Sequence, residues 1–348
     1  MNIFDLTFDE LERFIVDKFR QPNFRSQQLW TGIYINLWNE PNDFSNFPMS
    51  LRKEFFNFFV FNSIIPVKSQ ISEDHLTEKI LFKLADQNTI EAVLMKYDER
   101  NTLCISTQSG CAMGCVFCAT GNMGFKRNLT SGEIVEQVLF FARRLKKVDQ
   151  KVSNIVFMGM GEPFHNYEAT MGAIDRLSNP SGFGMGARRF TISTAGMVPM
   201  IKRFANEDRQ VNLAISLHAV NNLKRSQLMP INKKYPIEDL ILACKYYLEK
   251  TNRRITFEWA LIAGENDDQE TAMKLADLLS GMLCHVNLIP LNPVEFSQYR
   301  GSSKNSAREF QKILQSKGIP STVRLRRGID IQAGCGQLAT HNDQIAML

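Results

Sequence analysis

From about residue 100 onward the chain alternates short β-rich runs with segments of helical period, and this alternation restricts the fold more than any other feature. The β-rich runs are Thr102–Thr107, Ile155–Met158, Phe190–Ser193, Val211–Leu217, Ile255–Leu261, Val286–Leu291 and Ser321–Leu325. Amphipathic stretches lie between most of them. Ile134, Val138 and Phe141 share one helical face, and Ile237, Leu240, Ile241, Cys244 and Leu248 share another. Strands separated by helices pair in parallel through crossover connections, so the expected class is α/β. Residues before this region read differently. Phe8, Leu11, Phe14 and Ile15 fit a helix starting near Asp5 or Thr7, a second helix runs from Ser26 to Leu37, and a third starts near Pro48 with Leu51, Phe55, Phe58 and Phe59. These aromatics read as a small core rather than as base-stacking platforms. Two β-rich runs between Glu78 and Tyr97 flank Asp86-Gln87-Asn88, the pattern of a hairpin. The expected organisation is a helical domain over 1–75, a hairpin linker over 76–100 and a strand-helix domain over 101–348.

The strongest chemical signal is Gly110-Cys111-Ala112-Met113-Gly114-Cys115-Val116-Phe117-Cys118, on a loop after an expected strand. Three thiolates at Cys-x3-Cys-x2-Cys spacing can hold three corners of an iron–sulfur cube and leave the fourth iron open to a small ligand. A structural zinc site normally takes four protein ligands, and an ordinary ferredoxin closes its cluster with a fourth Cys; neither a His nor a fourth Cys follows at the required spacing. Zinc binding or plain thiol burial stays as the minor alternative. The chain has 7 cysteines, an odd number clustered in a long sequence, which argues against a disulfide framework and for a reducing cytoplasm. Met1 to Arg20 scatters charge through its apolar positions, unlike a secretory leader, and no run of about 18 apolar residues marks a membrane span. With 41 Lys+Arg against 36 Asp+Glu, the net charge of +5 permits a nucleic-acid partner without demanding one.

Other polar residues gather at expected strand ends. Gly159-Met160-Gly161-Glu162-Pro163 follows one strand, Ser193 and Thr194 end the next, Ser216-Leu217-His218 end another, and Asn292 follows Leu291. Glycines there let a backbone approach a ligand closely, and Glu162 could accept a hydrogen bond from a ligand amine. Singly, Ser193 is a turn former, Asn292 a loop residue and His218 a structural histidine; together at strand C-termini they read as cofactor contacts. Cys104, inside a β-run, reads as a small buried hydrophobe. Cys335 is framed by Gly334 and Gly336, and reads equally as a mobile thiol or a passive one. Cys244 and Cys284 read as core. Glu91 reads from residue type alone as an exposed hairpin carboxylate.

The cysteine motif resembles the radical S-adenosylmethionine superfamily. That resemblance implies a partial (β/α) barrel of the radical-SAM type with a small N-terminal helical domain, a [4Fe-4S] cluster on Cys111, Cys115 and Cys118, and reductive cleavage of S-adenosylmethionine. Further stretches narrow it. Cys104-Ile105-Ser106, Gly159-Met160-Gly161-Glu162-Pro163, Ser216-Leu217-His218, Pro230-Ile231-Asn232-Lys233-Lys234-Tyr235-Pro236, Asn287-Leu288-Ile289-Pro290 and Cys335-Gly336-Gln337-Leu338 resemble the RlmN/Cfr family of RNA adenosine methyltransferases. The resemblance implies that Cys335 carries a methyl group, that two S-adenosylmethionine molecules are used per turnover, and that Cys104 resolves the protein–RNA adduct as a Cys104–Cys335 disulfide. It offers both Glu91 and Cys104 as acceptor of the ring proton, without ranking them, and places Gly161, Glu162, Ser193, Ser216, Leu217, His218 and Asn292 on the cofactor. It further implies methylation of adenine carbon 2 in large-subunit ribosomal RNA and in tRNA, an N-terminal helical domain over 1–75 that grips the RNA, a one-electron reductant such as flavodoxin or ferredoxin, and a monomeric cytoplasmic enzyme. Carbon 8 methylation, conferring ribosomal antibiotic resistance, is the alternative within the family. Pro163 favours the carbon 2 branch, whereas Gly334 stands where these enzymes commonly carry alanine. The basic pairs Arg188-Arg189, Lys233-Lys234, Arg253-Arg254 and Arg326-Arg327 are candidate phosphate contacts or simply solvated faces.

Overall fold

A computed structural model describes residues 1–294 and 297–339; the end of the expected 101–348 unit lies outside the described residues. Three N-terminal helices come first: α1 (Phe8–Arg13), α2 (Phe24–Tyr34) and α3 (Met49–Phe58). Thr7 caps α1 through a capping box, its side chain accepting from the Glu10 N–H while the Glu10 carboxylate accepts from the Thr7 N–H. The expected aromatics form core: Phe19, Phe55 and Phe59 are buried and their rings meet edge-on or tilted at 4.8–6.5 Å between centroids.

A meander follows, with β1 (Ile64–Ile71), β2 (Thr77–Leu84) and β3 (Thr89–Tyr97), each antiparallel to the next. The turn between β2 and β3 falls at Asp86–Asn88, as the hairpin pattern indicates. Strand β1 has no counterpart among the expected strands. Its inward-outward alternation is broken where Pro66 and Lys68 shift the register, and most of its residues face outward at the sheet edge.

From β4 (Arg100–Cys104), itself antiparallel to β3, the chain adopts parallel alternation. A short ribbon, β5 (Gln108–Gly110) with β6 (Phe125–Asn128), brackets the cysteine loop and its one-turn helix α4 (Ala119–Asn122). There follow α5 (Ser131–Lys146), β7 (Asn154–Phe157), α6 (Tyr167–Ser178), β8 (Phe190–Thr194), α7 (Val198–Ala205) and β9 (Asn212–Ser216). Then come α8 (Asn222–Leu228), α9 (Ile237–Thr251), β10 (Ile255–Leu261), α10 (Gln269–Leu278), β11 (Cys284–Pro290), α11 (Lys304–Ser316) and β12 (Ser321–Val323). The large sheet has 10 strands in the order β1-β2-β3-β4-β7-β8-β9-β10-β11-β12, parallel from β4 to β12. Among the described residues it does not close, because β12 has no hydrogen-bonded neighbour beyond β11. This is the expected partial barrel. One apolar core runs from the N-terminal helices through the sheet to Leu338, and Cys244 and Cys284 are part of it.

The seam left between β12 and the meander is spanned by the chain itself. After β12 the backbone crosses so that Arg327 Nη1 donates to Lys96 O (3.2 Å), the Glu73 N–H donates to Asp330 (2.8 Å) and Lys79 Nζ donates to Gln332 O (3.3 Å). That path delivers Cys335 to the C-terminal ends of the parallel strands.

Candidate active site

Two cavities meet at those strand ends. The larger, about 170 Å³, is lined by Cys111, Cys115, Cys118, Glu162, His218 and Asn292, and also by Gly161, Ser193, Ser216 and Cys335. The smaller, about 30 Å³, is lined by Cys104, Cys335, Asn292, Arg324 and Tyr97, among others. Cys335 belongs to both cavities, whereas Cys104 lines only the smaller.

Glycines create the approach to the larger cavity. A Cβ on Gly159 would sit 2.7 Å from the Ile105 backbone, and one on Gly161, at φ +102°, would sit 2.5 Å from Gln108 Cβ. The loop after β7 therefore lies directly on the segment that leads from Cys104 into the cysteine loop. Glu162 is buried; its carboxylate accepts from the Ala195 N–H (2.7 Å) and the Phe164 N–H (3.0 Å). Burial pushes its pKa up to about 6, opposed by those hydrogen bonds. His218 adopts a left-handed backbone (φ 58°), and its Nδ1 accepts from the Ala260 N–H at 2.9 Å. An amide can only donate, so the ring proton of neutral His218 is on Nε2, free to donate to a ligand. Burial, reinforced by Arg225, lowers its pKa to about 3 and keeps the ring neutral. Asn292 donates through Nδ2 to Cys335 O (3.1 Å), while its buried Oδ1 has no partner. Leu217 lines neither cavity: its side chain is core, its N–H donates to Glu258 O, and its carbonyl accepts from Arg225.

The Cys335 loop is fastened on both sides. Gln337 closes it, accepting from the Gly334 N–H (3.0 Å) and donating to Pro293 O (2.8 Å). The Ala119 N–H donates to Gly336 O (2.7 Å), and Thr120 Oγ1 donates to Leu338 O (2.6 Å). These bonds tie the loop to the helix that begins after Cys118. Glu91 is not an exposed hairpin carboxylate. It is buried in β3, paired with Lys79 at 3.0 Å, and accepts from the Ala339 N–H at 3.0 Å. It thus reaches the Cys335 loop through the tail that follows it. Cys104 ends β4; burial pushes its thiol up to about 12, with neighbouring Cys335 adding to the rise and Arg324 opposing it.

Sequence reading missed three charged residues of the site. Arg225, fully buried in α8, donates to Ala195 O (2.7 Å), Ser216 O (3.0 Å), Leu217 O (3.1 Å) and Asn232 Oδ1 (3.1 Å), locking the ends of β8 and β9 together. Glu258, buried in β10, accepts from Asn287 Nδ2 (2.8 Å) and lines the larger cavity. Arg324 follows β12 and carries a charge stabilised first by Cys335 and then by Glu258. None of the three sits in a motif that the sequence marks: each is an isolated charge within a helix or at a strand, and only packing brings it to the site.

Comparison with known proteins places this arrangement. Residues 105–276 match the Radical SAM superfamily. The chain is 44% identical over 348 residues to the probable dual-specificity RNA methyltransferase RlmN of Chloroflexus aurantiacus, covering 97% of this chain and 92% of that protein. It is 46% identical over 337 residues to the dual-specificity RNA methyltransferase RlmN 1 of Myxococcus xanthus, covering 97% and 94%. The chain belongs to the RlmN family of radical SAM enzymes. The crystal structure of a radical SAM methyltransferase from Sphaerobacter thermophilus superposes with a TM-score of 0.95 at 47% identity, covering 97% of this chain and 99% of that one.

Membership in the RlmN family implies a [4Fe-4S] cluster and S-adenosylmethionine, and the residues present fit both. Cys111, Cys115 and Cys118 interact electrostatically, and burial drives all three thiols up, Cys111 to about 12. Thiolates there need cationic charge from bound iron. Among the described residues no three His, Cys, Asp or Glu side chains converge as a single ion requires, whereas ligands of a cube sit on separate irons. For the second cofactor, the cavity offers the Glu162 carboxylate, the His218 Nε2–H donor and the orphaned Asn292 Oδ1 acceptor.

Proposed function

We propose that this chain methylates carbon 2 of an adenosine in large-subunit ribosomal RNA, and in tRNA, through an S-methylcysteine at Cys335. The observation that carries the reading is that Cys335 faces both cavities, with the cluster cysteines on one side and Cys104 on the other. A methyl carrier must be loaded in one place and emptied in another, and Cys335 has access to both. The names of the relatives support an RNA substrate.

When bound, the cluster and S-adenosylmethionine supply the methyl group and the one-electron cleavage chemistry, two cofactor molecules being used per turnover. Glu162, His218 and Asn292 orient the cofactor, and Arg225 keeps their loops in register. Cys335 Sγ would receive the methyl group by displacement, and that group would give up one of its hydrogen atoms to the radical that cofactor cleavage supplies; the methylene carbon left on sulfur would then bond the adenine ring, the surplus electron passing back to the one-electron chain. Cys104 attacks the Cys335 sulfur, so that an S–S bond forms as the bond from sulfur to the RNA-linked carbon breaks, and that carbon takes a proton. Glu91 accepts the ring proton. A one-electron donor feeds the cluster, and the Cys104–Cys335 disulfide is reduced before the next turnover.

The test is mass spectrometry of nucleosides after incubation of anaerobically reconstituted enzyme with S-adenosylmethionine, a reductant and unmodified ribosomal RNA or tRNA. 2-Methyladenosine is expected. 8-Methyladenosine would keep the chemistry and move the chain to the Cfr-like reading. No methyladenosine, despite cofactor cleavage and a methylated Cys335, would overturn the substrate.

A further inference from the structure

The four basic pairs do not lie together. Arg188-Arg189 and Arg253-Arg254 immediately precede β8 and β10, at the N-terminal ends of the parallel strands and opposite the cavities. Their guanidinium groups are partly committed: Arg188 donates to Gln210 (3.3 Å), and Arg253 donates to Gln210 (2.9 Å) and Asn212 (3.0 Å). Arg326-Arg327 lie on the strap that crosses the open seam, and their neighbours line the smaller cavity with Cys104 and Cys335.

At that seam Tyr97 is stacked by two guanidiniums, Arg100 at 4.4 Å and Arg327 at 4.5 Å from the ring centroid. Arg100 and Arg326 are exposed, and none of Arg100, Arg326 and Arg327 is held by an ion pair among the described residues. Arg327 Nε is buried without a partner. Between them Leu325 is 77% exposed, beside the cavity rather than in the core. The seam therefore gathers three arginines, with Arg327 acting on the Asp74 carboxylate and Arg100 following Asp98-Glu99 in the chain, together with an aromatic ring and an exposed apolar side chain beside the cavity that Cys104 and Cys335 line.

We propose that this seam is the docking lip for the RNA strand that carries the target adenosine. Arg100, Arg326 and Arg327 take backbone phosphates, and Leu325 packs against a sugar or base next to the one that enters the cavity. The inference rests on the RNA reading above and adds to it a surface beside the cysteines, where the sequence offered the N-terminal helical domain and four scattered basic pairs. Arginine suits the task because it stays charged and its planar fork matches phosphate. The position also suits it: a strand held along the seam brings one base to the mouth of the smaller cavity, away from the cavity that Glu162 and His218 line, and the Cys335 loop must shift to widen its 30 Å³ before the base enters.

The experiment is equilibrium binding of the anaerobic holoenzyme to an end-labelled, unmodified transcript of the peptidyl-transferase region of 23S rRNA, by fluorescence anisotropy over a salt series. Each phosphate contact contributes about 0.7–0.9 to the slope of log K against log salt. R100Q/R326Q should lower the slope by roughly 1.4–1.8, and R100K/R326K should restore most of it, which a merely structural role would not produce. R188Q/R253Q should leave the slope as in the wild type. If wild type binds while R100Q/R326Q keeps its full slope, the lip is refuted and the RNA reading stands. If R188Q/R253Q carries the loss instead, RNA docks at the opposite end and the lip is again refuted. If wild type binds no transcript, the RNA reading and the lip fall together.

Discussion

Lys79→Met is the most informative single change, because it separates what the fold demands of Glu91 from what chemistry demands. Lys79 and Glu91 form a 3.0 Å ion pair with side chains only 6% and 5% exposed, between adjacent strands β2 and β3. Methionine has nearly the length and volume of the lysine stem, so packing changes little. The charge does not: removing one partner of a buried ion pair costs about 3–5 kcal/mol. The bond from Lys79 Nζ to Gln332 O, which anchors the strap leading to Cys335, is lost as well. At ~2 cal/mol/K of unfolding entropy per residue, a chain of this length loses about 4–7 °C of melting temperature. K79M/E91Q should recover to within about 1 kcal/mol of wild type, since a neutral pair carries no stranded charge and Gln can still accept from the Ala339 N–H. Urea denaturation of the anaerobically purified proteins, with cluster content matched, reads both. A K79M loss under about 0.5 kcal/mol, or a double variant no better than K79M, would refute the claim that Lys79 stabilises the buried Glu91 charge.

Further outcomes follow from the same geometry. Cys104→Ala should permit addition to RNA and block release, giving a covalent enzyme–RNA species on denaturing gels; its absence, with a methylated Cys335, would remove Cys104 from the resolving role. Cys335→Ala should give neither adduct nor product, and product from that variant would refute the methyl-carrier assignment. Gly161→Ala should abolish S-adenosylmethionine binding or folding, since φ +102° and the 2.5 Å approach to Gln108 leave a Cβ no room; calorimetry showing wild-type binding would contradict the close-approach reading. Glu136, buried against Ser63, has its pKa raised by burial from 4.5 to about 8. The folded state therefore holds this proton more tightly than the unfolded chain, a contribution complete below pH 4.5 and lost as pH rises through 8. Wild type should lose stability relative to Glu136→Gln across that window, and parallel pH profiles would show that Glu136 is not held neutral.

The parts of the site that were legible in sequence are those whose chemistry is local. The cysteine spacing, the glycines before Glu162 and the residues at the ends of β8, β9 and β11 each sit within one short segment, and strand-helix alternation says which end of the sheet they share. What escaped depends on register across strands or on closure of the sheet. Glu91 looks like a surface carboxylate until β2 places Lys79 beside it. Arg225, Glu258 and Arg324 carry charge into the interior, where residue type gives the wrong expectation, and each is tolerated because several backbone carbonyls, an amide or an opposite charge awaits it. Leu217 differs from its neighbours in that its side chain faces the core. Strand β1 was lost because an edge strand with a bulge at Pro66 keeps no clean alternation.

The open sheet explains why both cysteines can work in one place. A closed barrel would hydrogen-bond β12 to the strand beside it and leave no route from outside to the sulfur of Cys104, which ends β4 in the interior. Here the strap fills the gap through side chains and single backbone bonds from Arg327, Asp330 and Gln332 rather than through a ladder. Such a closure costs few bonds to shift. Cys335 rides on the end of this strap, and its loop is held by Asn292, Gln337 and Thr120 on the cofactor side and through Ala339 by Glu91 on the β3 side. On the proposed mechanism, loading and unloading one sulfur from two cavities needs only small movements of that loop, and the residues that fasten it are the ones that must yield in turn.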